Sequence, residues 1–183
     1  RAHGEKKRVV LPEGKDERIL RATEILLRRN VVDITLLGQE TGIRLQAEEI
    51  GVDLGGVEIV DPIASPWLDN YAWTYYELRG HKGITLEQAR DNMLSVSYFG
   101  TMMVYKGAAD AMVSGAIHTT GNTIRPALEF IKVQPNRRVA SSVFFMCMPD
   151  QVQVFGDCAI TPDPNYEELA DIAIASADTA QSF

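Results

Sequence analysis

Cysteine is scarce in this chain, with only Cys147 and Cys158 among 183 residues. Two cysteines are too few for a disulfide scaffold, and their spacing is not that of a metal site. Cys147 falls in the apolar run of residues 143–148, where a buried, reduced thiol is expected. Basic charge is in deficit, with 18 Lys and Arg against 25 Asp and Glu and a net charge of −7. A nucleic-acid partner calls for the opposite balance, so any bound anion must meet a local basic cluster in an acidic surface. No apolar run approaches the ~20 residues of a membrane span. Residues 1–8 are basic, but no apolar segment with a small-residue cleavage site follows them, and there is no initiator Met. The expectation is a cytoplasmic chain, bound neither to nucleic acid nor to membrane, that begins part-way through a longer one. Internal repeats and low-complexity segments are also lacking.

What is present is ordinary globular material, 45% hydrophobic and 23% charged. Residues 8–12 read as a strand ended by Pro12-Glu13-Gly14. Residues 15–30 read as a helix, with Ile19, Ala22, Leu26 and Leu27 inward and Arg18, Arg21, Arg28 and Arg29 outward. Strands over 33–38 and 57–61 flank a helix over 41–50. Such alternation predicts parallel pairing and an α/β fold. Trp67, Tyr71, Tyr75 and Leu78 share one face of a helix over 66–78, as packing residues. That helix ends at Arg79-Gly80-His81-Lys82-Gly83, either cations and a glycine at a helix C-terminus or a second anion site. Thr85 and Gln88 make a capping box for a long helix whose later part, 96–104, is apolar and should be buried.

The most informative stretch is Ser114-Gly115-Ala116-Ile117-His118-Thr119-Thr120-Gly121-Asn122-Thr123-Ile124-Arg125-Pro126. A short buried strand is expected before it, over 108–113, and a helix after it, over 127–132. Its plain reading is a Gly-Asn turn, a Thr123 cap and Pro126 in the first turn of the helix. Its functional reading is an anion site. Backbone amides at the helix start, hydroxyls of Ser114, Thr119, Thr120 and Thr123, the Asn122 amide and the Arg125 guanidinium suit a phosphoryl group. Beyond it, residues 139–148 read as a long strand and 152–155 as its hairpin partner. Asp157 reads as a loop or turn residue. Asp163 or Asn165 caps a last helix, whose stripe of Leu169, Ile172, Ala173, Ser176, Ala177 and Ala180 suits close packing on a sheet. A domain boundary at 134–138 separates a first domain, 1–136, from the start of a second, 137–183.

Several segments together resemble the phosphate acetyltransferase (phosphotransacetylase) family. They are Leu11-Pro12-Glu13-Gly14 with Asp16-Glu17-Arg18, Glu77-Leu78-Arg79 with His81-Lys82-Gly83, and Val113-Ser114-Gly115-Ala116-Ile117-His118-Thr119-Thr120 with Thr123-Ile124-Arg125-Pro126-Ala127-Leu128. Ser141-Ser142-Val143-Phe144-Phe145-Met146, Gly156-Asp157-Cys158-Ala159-Ile160 with Pro162-Asp163-Pro164, and Ala170-Asp171-Ile172-Ala173-Ile174 continue the match. The resemblance implies two α/β/α domains with mostly parallel sheets facing a cleft, in a fold shared with the isocitrate and isopropylmalate dehydrogenases. It implies a homo-oligomer exchanging acetyl-CoA plus phosphate for acetyl phosphate plus CoA, with CoA as substrate and no tightly bound cofactor or metal.

Residue by residue, the resemblance implies that Arg79 and Arg125 serve CoA and phosphate, and that Thr119, Thr120 and Thr123 lie at the reacting phosphate. Ser114, His118 and Asn122 complete the expected binding set, the family varying between Asp and Asn at the last. The family's thiol-deprotonating Asp and its Ser-Arg pair belong to an N-D-L-S-R-G-like segment that this sequence lacks. The catalytic groups are therefore expected beyond Phe183, the second domain is expected to be incomplete, and this chain alone is expected to be inactive. Three alternatives share the fold: a phosphate butyryltransferase, a non-catalytic acyl-CoA-sensing domain and a dehydrogenase. The last lacks its metal carboxylates and nicotinamide fingerprint here.

Overall fold

The structure, a computed structural model, describes residues 6–135 and 137–182. Residues 1–5 of the basic N-terminus, Asn136 in the expected connector and Phe183 lie outside them. The chain divides into two compact units, Arg1–Ile131 and Lys132–Phe183.

In the first unit, β1 (Lys7–Leu11), β2 (Val32–Leu37), β3 (Glu58–Val60) and β4 (Ala111–Met112) form one sheet in the order β3-β2-β1-β4. All its pairings are parallel, as the alternation of elements predicts. Successive residues of a strand face opposite ways, and the core divides accordingly. Leu11, Ile34 and Leu36 pack with Leu20 of α1 (Glu17–Arg29) and with Ile43 and Ala47 of α2 (Glu40–Glu49). Val10 and Leu37 join the other cluster, with Tyr71 and Tyr75 of α3 (Leu68–Arg79), Met93 of α4 (Leu86–Met93) and Phe99 and Met102 of α5 (Val96–Tyr105). The sheet thus carries helices on both faces. From β1 the chain winds outward through β2 to β3, then returns through three helices to lay β4 on the far side of β1. The strand order therefore reverses between β1 and β4, the kind of crevice where open α/β sheets hold ligands.

Local chemistry explains the boundaries. Asp16 caps α1 by accepting from the Arg18 amide, and Asn30 ends it in the left-handed region at φ 53°. The deepest residues of α1 are Leu20 and Thr23, so the buried face sits one position round from the predicted Ile19, Ala22, Leu26 and Leu27, which are half-buried. The Thr85–Gln88 capping box forms, but the helix it opens is not the single long one predicted. Leu94 and Ser95 donate three residues back, to Asp91 and Asn92, which tightens the turn and closes α4 before α5 begins. Trp67 lies outside the buried face, 38% exposed at the start of α3, while Tyr71 and Tyr75 are buried. Strand β4 is shorter than predicted and not buried: Ala111 is exposed, because it forms the sheet's edge.

In the second unit, β5 (Val143–Cys147) and β6 (Val152–Gly156) make the predicted hairpin, antiparallel with Phe144 opposite Phe155. Strand β5 covers only the latter half of the predicted strand. Cys147 is exposed rather than buried, since among the described residues neither strand has another neighbour in its sheet. Asn165 caps α7 (Tyr166–Ser182): its side chain accepts from the Glu167 and Glu168 amides, and Glu168 accepts from the Asn165 amide. Of the predicted stripe on α7 only Ile172 is buried; Leu169 is 55% exposed.

Candidate functional site

The loop after β4 meets the loop after β1 at the reversal of strand order. Pro12, Glu13 and Gly14 are buried directly behind β1. Glu13 is the centre of the junction, its side chain wholly buried. Its Oε2 accepts from the amides of Gly115 at 3.1 Å and Ala116 at 2.9 Å. Its Oε1 accepts from those of Ile117 and His118, both at 2.8 Å. Burial works to raise the Glu13 pKa, but the amide hydrogen bonds and the His118 ring outweigh it and hold the carboxyl below its usual range. Gly115 takes φ +113°, a conformation side chains disfavour, which lets the turn point consecutive amides at one acceptor. Arg18, paired with Asp16, donates to the Ala116 carbonyl at 2.6 Å and ties the same turn to α1.

The run of consecutive loop amides is therefore filled from within, so an external anion is left to the side chains. The helix also begins earlier than predicted. Thr119, not Thr123, is the cap, its hydroxyl accepting from the Asn122 amide at 3.3 Å. The α6 helix (Thr120–Pro126) ends on Pro126, which has no N–H to continue the ladder, and the chain widens into a π-turn over Ala127–Ile131.

Ser114, Gly115, His118, Thr120, Thr123 and Ile124 line one cavity of about 210 Å³. Across it the Ser114 and Thr123 hydroxyls stand 3.4 Å apart. His118 Nδ1 is 3.1 Å from Glu13 Oε1 but off the line of a hydrogen bond, and it is buried without another partner among the described residues. Four of the eight predicted binding residues thus line one small cavity. Thr119 is committed to the cap, and Asn122 and Arg125 are exposed on α6. The positive charge of Arg125 is felt by the Tyr98 phenol, which burial first and Glu129 second push to a higher pKa. Arg79 lies at the end of α3, half-buried, its Nε without a partner among the described residues. The glycine stop there is Gly83, at φ +90°, after a 3₁₀ turn over Gly80–Lys82.

Two carboxylates were not legible as site elements. Glu13 reads as part of a Pro-Glu-Gly turn; only its place before a strand-reversal crevice could have flagged it. Glu129 accepts from the buried phenol of Tyr75 at 2.6 Å and the half-buried one of Tyr98 at 3.1 Å, and so fixes the π-turn that follows Arg125. In the second unit Asp157 fills its own loop. It takes bonds from the Ser142 amide and hydroxyl and from the amides of Cys158, Ala159, Ile160 and Thr161. Among the described residues no group of three or more His, Cys, Asp or Glu is placed to hold a metal ion. No helix among them is long and apolar enough to cross a membrane.

Comparison with known proteins agrees with this architecture. The family model described as phosphate acetyl/butaryl transferase matches residues 1–183. The phosphate acetyltransferase of Nitratidesulfovibrio vulgaris is 56% identical over 176 residues, covering 96% of this chain and 25% of its own length. That of Corynebacterium glutamicum is 45% identical over 183 residues, all of this chain and 56% of its own. Among solved structures, the EutD phosphotransacetylase from Staphylococcus aureus superposes with a TM-score of 0.89 at 42% identity, covering 98% of this chain and 54% of that one. A phosphotransacetylase from Streptococcus pyogenes gives 0.91 at 39% identity, over 97% of this chain and 54% of its own. The chain thus spans between a quarter and just over half of these relatives. On a match that runs its entire length, the chain belongs to the phosphate acetyl/butaryl transferase family.

Proposed function

We propose that the protein carrying this chain moves an acetyl group between coenzyme A and inorganic phosphate, in the cytoplasm and as part of acetate metabolism. The observation that carries this reading is the hydroxyl-lined cavity at the β1/β4 reversal, with Arg125 on the helix that bounds it. In the forward direction a phosphate oxygen attacks the thioester carbonyl, the C–S bond breaks and CoA leaves as the thiolate. In reverse the thiolate attacks acetyl phosphate. Neither direction needs a covalent enzyme intermediate, because holding both substrates together supplies the proximity term. Ser114, Thr120 and Thr123 offer neutral donors to the phosphate oxygens, and Arg125 offers a planar cationic fork. Arg79, with its unpartnered buried Nε, serves the CoA side. His118 lines the cavity, while Thr119 and Asn122 shape its rim through the helix cap. Asp157 is excluded as the thiol's base, because its lone pairs are already engaged.

This reading takes residues 1–136 as a first α/β domain bearing the phosphate and CoA loop. It takes residues 137–183 as the start of a second α/β domain of a dehydrogenase-like fold, completed, with the thiol's base and the Ser-Arg pair, by chain outside this sequence. The family's homo-oligomeric assembly follows on the same terms, with CoA a substrate and no cofactor tightly bound. Arg125→Ala in the full-length protein is the test. Losing one charge-assisted contact costs about 1.5–3 kcal/mol, so the KM for phosphate or CoA should rise roughly ten- to a hundredfold with an unchanged circular dichroism spectrum. Unaltered kinetics would remove Arg125 from the site. The family name covers butyryl transfer as well, and comparing acetyl- with butyryl-CoA in one assay decides between them.

A further inference from the structure

We infer that Glu13 is the positioning residue for the phosphate cavity: a built-in carboxylate that occupies the amide turn of residues 115–118 and leaves phosphate to the hydroxyls on either side. The inference rests on the phosphate reading above. Four successive N–H groups converging on one point form an anion-binding concavity. Here the anion is part of the chain, on the loop behind β1, and it takes all four at 2.8–3.1 Å. A wholly buried carboxylate is costly unless its oxygens are satisfied. The Glu13 side chain is fully enclosed, and among the described residues its hydrogen bonds come from this turn, whose four amides in turn have Glu13 as their acceptor. Each fixes the other.

The consequence lies at the turn's two ends. Ser114 immediately precedes the four amides, and Thr119 and Thr120 immediately follow them. Clamping residues 115–118 to the end of β1 therefore sets the separation of the Ser114, Thr120 and Thr123 hydroxyls in the cavity. Arg18 holds the same turn from its carbonyl side, at Ala116, and lies close enough for its charge to act on Glu13. That guanidinium and the four N–H dipoles absorb the carboxylate's charge, so a second anion can approach the hydroxyls.

The experiment compares wild type with Glu13→Gln at full encoded length. A glutamine keeps the volume but turns an NH₂ towards two of the four donors. The expected result is a KM for phosphate raised at least tenfold, with the KM for acetyl-CoA within about twofold. Hydrogen exchange at amides 115–118 should accelerate at least tenfold in the variant. A folded variant with unchanged phosphate KM, or with both KM values raised alike, overturns the inference. Should the variant not fold, the wild type decides. Its amides 115–118 should exchange slowly despite their surface position, and should shift less than Thr120 and Thr123 on titration with inorganic phosphate. Fast exchange, or phosphate shifts centred on 115–118, overturns the inference. A wild type without phosphate-dependent acyl transfer would sink the functional reading alone, since the exchange arms still report on Glu13.

Discussion

At the scale of single residues, carboxylates decide most of what is unusual here. Asp157 is the clearest, because burial would raise its pKa and yet the bonds from Ser142 and the Thr161 amide drive it far below the usual aspartate range. The sign follows from linkage. A group whose folded pKa is depressed contributes stability that is complete above the unfolded value and is lost as pH falls towards the folded one. Asp157→Asn should therefore lower the melting temperature of the second unit at neutral pH and flatten its decline below about pH 4. Thermal unfolding from pH 7 to pH 2 checks this, and an unchanged acid slope would mean that the loop carries the carboxylate passively. The contrast with Asn165 shows what sequence can reveal. Its caps lie two and three residues away, so an Asn before a Glu-rich helix start is legible. Glu13 finds its partners 102 to 105 residues on, and no local pattern announces that.

At the scale of elements, tight approaches fix how β1 feeds the site. A Cβ on Gly14 would stand 2.6 Å from the Leu37 carbonyl oxygen and 2.7 Å from Ile43 Cδ1. The first contact is backbone of β2 and cannot rotate away, so Gly14→Ala must shift the β1–α1 loop that carries Glu13. We expect a loss of about 1–3 kcal/mol, as for other overpacked sites. Gly56→Ala, where a Cβ meets nothing within 4 Å, should stay within about 0.5 kcal/mol and serves as the control. Urea unfolding of both variants tests the pair, and equal losses would refute the packing account. The parallel sheet and its crossover helices were readable from periodicity, since strands of 3–6 residues alternate with helices of 10–13. The break between α4 and α5 was not, because the capping box marks a start and nothing in the apolar run marks a stop. The candidate site shows the same division. Ser114, His118, Thr120 and Thr123 converge as a glycine-hinged loop suggests, while the early start of α6 depended on Thr119 taking the cap.

At the scale of the whole molecule, the two units differ in how much core each possesses. The first covers both faces of its sheet, with Val10, Leu20, Leu36, Ile43, Phe99 and Met102 all at 0% exposure. In the second, Ile172 is the only buried hydrophobic residue among those described, while Phe144, Val152 and Phe155 are 57%, 60% and 52% exposed. An isolated two-stranded hairpin is marginal in water, and one helix adds little burial to it. Opening free energies should therefore be graded along the chain rather than uniform. Native-state hydrogen exchange on residues 1–183 alone should find its slowest amides in β1 and β2 and much faster ones in β5 and β6, by at least a hundredfold. The strands compared are all hydrogen-bonded, so the gradient would report core and not mere pairing. Equal protection in both sheets would show that the second unit draws stability from something other than its own buried apolar surface.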